Sequence, residues 1–433
     1  MIKDIFSKNK SIFVMLLFSV NYFLFFYLTT VNIPFSDDFW FLGIINKYFN
    51  ANSIFEKITV LRSQFNLGED TVTHNIEYLE HRHTLFKVLL VLQVKLTGCI
   101  NLRYFMFLNC FVLTVTFYYF YLSVKEFFLN NILLLVSCCS LFFSLVFYMN
   151  IFWFMSTPNN LLLLFGFGGL YYIKENKVIM AILFLSLSLF SSYGGILFFG
   201  VSCLYLLVTK NYTKMIVLAI ITACAIYIYS FGLIKNHDAN FVKVLIGAPW
   251  FLLLLFFSCI GSIGLAVIPS IVLGIVFLGY FIYLLKRKIY LTEPYLFTVL
   301  ILLFTTCLGI VIHRYDHGFS YVMTTRFKIF SVLILIIFLI IFQKNNKALF
   351  DKYNKIILSI CLIYFTIGTT IAYKKASNRK QELINCISCY KRTGSGLFIN
   401  KDTYQNKINQ VKINEVNTIM YNLQKDGYYV LPE

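Results

Sequence analysis

Two adjacent carboxylates, Asp37 and Asp38, lie in the stretch Ile33-Pro34-Phe35-Ser36-Asp37-Asp38-Phe39-Trp40, directly after the first long apolar run of the chain. A carboxylate at a bilayer surface can take a proton from a sugar hydroxyl as a general base, or hold a divalent cation against a phosphate. The same residues also suit a helix start, with Ser36 as cap and two acids favouring the dipole of the first turn. The residue pattern leaves both readings open, and Asp37 and Asp38 are the only metal ligands it suggests.

Two further clusters carry ionisable groups. Glu80-His81-Arg82-His83 enters an apolar helix, where Arg82 suits bidentate contact with a lipid phosphate. The plainer reading is a solvated helix start with an arginine snorkelling to headgroups. The run His313-Arg314-Tyr315-Asp316-His317-Gly318 leads on to Arg326. Two arginines on a face otherwise poor in basic residues suit an anion, or an ion pair to Asp316. His237-Asp238 reads as an ordinary polar loop. Trp40, Trp153 and Trp250 fall near predicted interfaces and read as belt residues. Cys386 and Cys389 form a Cys-x-x-Cys in a tail without histidine, which argues against a complete zinc site there.

The scaffold that must position these residues is membrane-embedded. Of 433 residues, 59% are apolar and 13% charged, with mean hydropathy +0.76; a soluble chain carries about 25% charged residues. Many windows of about 17 to 25 apolar residues require helices at membrane depth, and their continuous character excludes a β-barrel. The net charge of +18 fits basic residues that flank spans and face anionic lipid. No basic and aromatic patch reads as a nucleic-acid site. The start of the chain is basic (Lys3, Lys8, Lys10) and runs into a long apolar stretch without a small-residue cleavage site, so it reads as a retained first span.

The expected fold is an all-α polytopic membrane protein of about eleven transmembrane helices. Spans are predicted near 11–30, 101–124, 129–149, 159–173, 178–191, 194–208, 215–234, 295–312, 327–343 and 355–373, with 245–285 crossing once, behind a half-helix, or twice. The first outer loop, 31–100, should hold interfacial helices. One is Asp38 to Asn50, with Phe41, Ile45, Tyr48 and Phe49 at helical spacing; the other lies within Glu77 to Thr97, with Leu85, Leu89, Leu92 and Leu96 and a stop at Gly98. A transmembrane domain of 1–373 is followed by a small soluble tail, 374–433. Basic residues such as Lys125, Lys174, Lys210 and Lys286-Arg287-Lys288 fall on one side if 245–285 crosses once. That puts the N-terminus inside and the tail outside. All six histidines and the acidic pair then share the outer face, while the spans are nearly free of charge. A transporter is expected to carry ionisable groups at mid-membrane.

A first span, an acidic pair at its outer end and a long loop with interfacial helices resemble the GT-C class of integral-membrane glycosyltransferases. Glu80-His81-Arg82 is similar to a Glu-His-Arg stretch of bacterial members. Arg314 with Thr325-Arg326-Phe327 is similar to a late Arg…Ser-Arg-Tyr pattern, with Thr and Phe in place of Ser and Tyr. Gln410-Val411-Lys412 through Gly427 resembles their closing outer segment. The resemblance implies sugar transfer from a polyprenyl-phosphate carrier to a polysaccharide or lipid-linked acceptor, on the outer face of a bacterial inner membrane. Asp37 would be the general base, and Asp38 its support or a cation ligand. Arg82, Arg314 and Arg326 would hold the carrier phosphate, with Glu80, His81, His83, Asp316 and His317 around them. A β-linked donor would give an α-linked product by inversion. The layout also resembles phage-type enzymes that glucosylate O-antigen. The competing readings are an O-antigen polymerase, expected to place its large outer loop and arginines in the second half of the chain, and a polysaccharide flippase.

Overall fold

The computed structural model describes residues 2–35, 38–63, 82–129, 131–231, 248–264, 266–393 and 417–432. Among them all regular structure is helical. Fifteen principal helices follow in order: α1 (Ile2–Thr29), α2 (Asp38–Asn50), α3 (Ile54–Arg62), α4 (Thr84–Thr97), α5 (Leu102–Ser123), α6 (Ile132–Phe142), α7 (Thr157–Lys174), α8 (Val178–Ser191), α9 (Gly195–Val208), α10 (Tyr212–Ser230), α11 (Pro249–Ile260), α12 (Val267–Lys286), α13 (Pro294–His313), α14 (Lys328–Asn345) and α15 (Lys347–Thr393). A last helix, α16, covers 417–425.

Seven segments, in α1, α5, α10, α12, α13, α14 and α15, are long and apolar enough to cross a membrane. Four shorter apolar helices, α6, α8, α9 and α11, accompany them. The protein is therefore a helical, multi-pass membrane protein. At 1.5 Å per residue, the 12 residues of α11 reach only about 18 Å, against about 30 Å of hydrocarbon. The stretch 245–285 thus holds one helix of spanning length behind one half-length helix. These two cross closely at glycines. A Cβ on Gly261 would lie 2.0 Å from the Ser270 carbonyl oxygen, and one on Gly274 2.0 Å from that of Phe257, so only glycine admits the approach.

Two expectations need correction. The span predicted near 129–149 is an 11-residue helix that stops at Phe142, followed by turns and the short helix Met149–Phe152. The Asp38–Asn50 helix is present, but Phe39, Phe41, Leu42, Ile44 and Ile45 are buried, so its apolar stripe faces protein rather than lipid. The helix that carries the last predicted span, α15, continues unbroken past 373 to Thr393. α4 stops where expected: Gly98 adopts φ +78° and donates its N–H to Val94 O at 2.8 Å. The sequence reading did not anticipate α3, which opens with a capping box between Ser53 and Glu56.

Hydrogen bonds gather many helix ends at one end of the bundle. Asn32, just beyond α1, receives Leu102 N on its Oδ1 at 2.8 Å and the Tyr429 hydroxyl on its carbonyl at 2.5 Å. Lys380 of α15 donates to Leu28 O at 3.0 Å. His83, before α4, lies 2.8 Å from Ser191 O at the end of α8. Here lie the ends of α1, α8 and α10, the starts of α2, α4, α5 and α14, the late part of α15 and the chain terminus.

Candidate functional site

Asp38 anchors the gathered end. It is the first residue of α2 and is fully buried. Its Oδ2 accepts the Phe35 N–H at 2.8 Å, reaching three residues back as a capping-box acid does, and its Oδ1 accepts the Trp153 indole N–H at 2.7 Å. A buried carboxylate held by two N–H donors is fixed in place. The chain to either side of 36–37 is thereby pinned at Phe35 and at Asp38. Asp37 itself, with Ser36, lies outside the described residues.

Around this anchor the structure brings together cations from distant parts of the sequence. The Arg326 guanidinium carbon is 5.2 Å from the Trp153 ring centroid and 4.9 Å from that of Phe327; Arg314 is 5.0 Å from Phe327. Trp153 stacks on Phe35 at 5.9 Å and 28°, and Arg379 of α15 lies 5.2 Å from the Phe35 ring. Arg379 also pairs with Glu382 at 2.9 Å. Lys328, at the first turn of α14, is close enough to Lys375 of α15 for their charges to interact. Stacking uses the face of a guanidinium, while hydrogen bonding uses its edge. The result is a cluster of cationic and aromatic side chains joined to Asp38 through Trp153.

The chain terminus joins this end of the bundle. Tyr428 stacks on Phe49 at 5.0 Å, and its carbonyl accepts Ile100 N at 2.7 Å. Tyr429 is buried; burial first, then the Asp38 carboxylate, raises its phenol above the ordinary value.

The other predicted residues separate. Arg82 is buried and donates to Tyr229 O at 2.8 Å and Phe231 O at 2.9 Å, the carbonyls that end α10. Arg62 adds bonds to Ile228 O at 3.2 Å and Phe231 O at 3.3 Å. Burial, then the charge of Arg62, holds the Arg82 guanidinium below its ordinary value. His83 has φ +45°, its Nδ1 faces Ser191 O and its ring lies 5.7 Å from that of Phe41. Asp316 is exposed, and His317 lies 4.7 Å from the Tyr321 ring. Glu80, His81, His237 and Asp238 lie outside the described residues.

Trp153 corrects its reading as a belt residue: it is 8% exposed and bonded to Asp38. Trp250 is exposed, as such a residue should be. Sequence reasoning missed Phe35, Trp153, Lys328, Lys375 and Arg379. The two lysines and Arg379 could have been suspected as basic residues on the sparsely basic side; nothing local in the sequence marks the Trp153–Asp38 bond. Among the described residues, no group of three or more His, Cys, Asp or Glu is placed to hold a metal ion. Compared with family models, curated proteins and solved structures, the chain matches none.

Proposed function

We propose that this protein is a membrane glycosyltransferase of GT-C type, with about eleven crossings, that moves a sugar from a polyprenyl-phosphate carrier to a polysaccharide or lipid-linked acceptor. The gathered end faces the periplasm of a bacterial inner membrane, with the N-terminus in the cytoplasm and the chain terminus outside. Asp37 takes the proton from the acceptor hydroxyl. That oxygen attacks the anomeric carbon, and the carrier phosphate leaves with inversion. Asp38 braces the acidic loop rather than reacting. Arg314 and Arg326, with Lys328 and Lys375 beside them, neutralise the departing phosphate. O-antigen glucosylation is the narrower form of this reading.

The observation that carries the proposal is the convergence of Arg314, Arg326 and Arg379 on the rings of Phe327, Trp153 and Phe35, next to the carboxylate adjoining Asp37. The test is transfer of labelled sugar from polyprenyl-phosphate donors to endogenous polysaccharide in membranes, comparing wild type with Asp37→Asn at equal protein level. A general base contributes about 10²- to 10⁴-fold, and a loss of that size is expected. Equal transfer by both removes Asp37 as the base. No transfer by the wild type across several donors points to the polymerase or flippase.

A further inference from the structure

Away from the acidic site, α2, α3 and α4 enclose a concavity of 310 Å³ lined by Tyr48, Ile54, Lys57, Ile58, Leu61 and Lys95. Two ammonium groups from different helices converge on one ring. Lys57 Nζ is 5.8 Å and Lys95 Nζ 5.6 Å from the Tyr48 centroid. Among the described residues neither lysine has an ion-pair partner. The acid on the same helix, Glu56, is committed to the cap of α3, where its Oε2 accepts Asn52 N at 2.7 Å and Ser53 N at 3.3 Å. Two like charges on one ring repel each other, and an anion between them reverses the sign.

The surroundings specify the anion. α3 turns Ile54, Ile58 and Phe55 outward, the last 79% exposed, and α4 does the same with Val88, Leu92 and Leu96, the last 75% exposed. Along the neighbouring face of α4 runs an apolar groove of 360 Å³, walled by residues that include Leu89, Leu92 and Leu96 of α4 and Tyr104, Phe107 and Phe111 of α5. Because α5 is long and apolar enough to span the membrane, this groove lies beside the first turns of a span. A free phosphate ion would use only the lysines. A lipid would use both features, with its headgroup on the lysines and an acyl chain along α4 and α5.

We propose that Lys57 and Lys95, over the Tyr48 ring, hold the phosphate of an anionic glycerophospholipid whose acyl chain occupies the groove between α4 and α5. The site is separate from the proposed transferase chemistry and does not depend on it. A basic residue near an anionic lipid surface contributes about fivefold to binding. The experiment is native mass spectrometry of the purified full chain titrated with phosphatidylglycerol, phosphatidylcholine or polyprenyl phosphate, with inorganic phosphate as competitor. Phosphatidylglycerol should bind saturably and more tightly than phosphatidylcholine. Lys57→Gln or Lys95→Gln should weaken it about fivefold, and the pair together about 25-fold. Lys57→Arg with Lys95→Arg should retain the binding, which separates charge from damage to the fold. Unchanged binding by the double Gln variant, or equal affinity for the two phospholipids, would overturn the proposal. So would full displacement by inorganic phosphate, or displacement of phosphatidylglycerol from the lysines by polyprenyl phosphate.

Discussion

Arg82 and Arg326 belong to motifs that look alike in the sequence, yet the fold uses them in opposite ways. Arg82, joined by Arg62, spends its donors on the carbonyls of Ile228, Tyr229 and Phe231 that end α10. Those carbonyls carry the negative end of the helix dipole, so two guanidinium groups there complete the helix. Arg326 and Arg314 instead lie against the Phe327 ring, and Arg326 also against Trp153, whose indole holds Asp38. An arginine that satisfies backbone builds the frame; one set over aromatic faces is, on the proposed function, the one that meets the carrier phosphate.

Substitutions should separate the two regions. Arg326→Ala is expected to lower sugar transfer by roughly tenfold to a hundredfold, the loss of one charge-assisted contact, while the unfolding temperature in detergent stays near the wild-type value. Arg82→Ala should do the reverse. It removes two charge-assisted bonds, to the carbonyls of buried Tyr229 and exposed Phe231, at a cost on the order of 2–3 kcal/mol, lowering the unfolding temperature while transfer per folded molecule is retained. If both variants lose transfer without loss of stability, the contrast fails and Arg82 belongs to the site.

Trp153→Phe sharpens the boundary between frame and site. It keeps a ring beside Phe35 but removes the indole N–H, leaving Asp38 Oδ1 without that donor. About 1–3 kcal/mol of stability should be lost, and transfer should fall because the loop carrying Asp37 is no longer held. Unchanged transfer in thermal-shift-matched samples would show that the Trp153–Asp38 bond does not position the loop.

The last prediction, on pH dependence, concerns Lys87, which is fully buried and donates to Ser63 O. Burial first, then the charge of Arg82, pushes its ammonium down to about 7. Between that value and its ordinary one near 10.5, the unfolded chain binds more protons than the folded one, so this residue makes stability rise with pH across that window. Lys87→Met should flatten the dependence, read as unfolding temperature from pH 7 to 10. An unchanged slope would mean that Lys87 stays charged in the folded protein.

Much of the scaffold was legible because apolar length is written directly in the chain. Predicted 101–124, 178–191, 295–312 and 327–343 match Leu102–Ser123, Val178–Ser191, Pro294–His313 and Lys328–Asn345 closely. The stretch 129–149 misled because a broken, buried segment is as apolar as a span. The Asp38–Asn50 stripe misled because spacing shows which residues share a face, not whether lipid or protein covers it. Asp37, Asp38, Arg314 and Arg326 stood out as charges at the edges of apolar runs. Trp153, Phe35 and Arg379 did not, since their roles rest on contacts across more than a hundred residues.

The sequence by itself determined that this chain lives in a membrane as a bundle of helices, because hydrocarbon leaves a backbone no other partner for its hydrogen bonds. It also set the polar clusters at the edges of apolar runs. Only the tertiary structure decided which arginine completes a helix and which lies against Trp153, and that Trp153 fixes Asp38. Those choices depend on which helix ends are brought to the same place, and packing between residues far apart in the chain settles that.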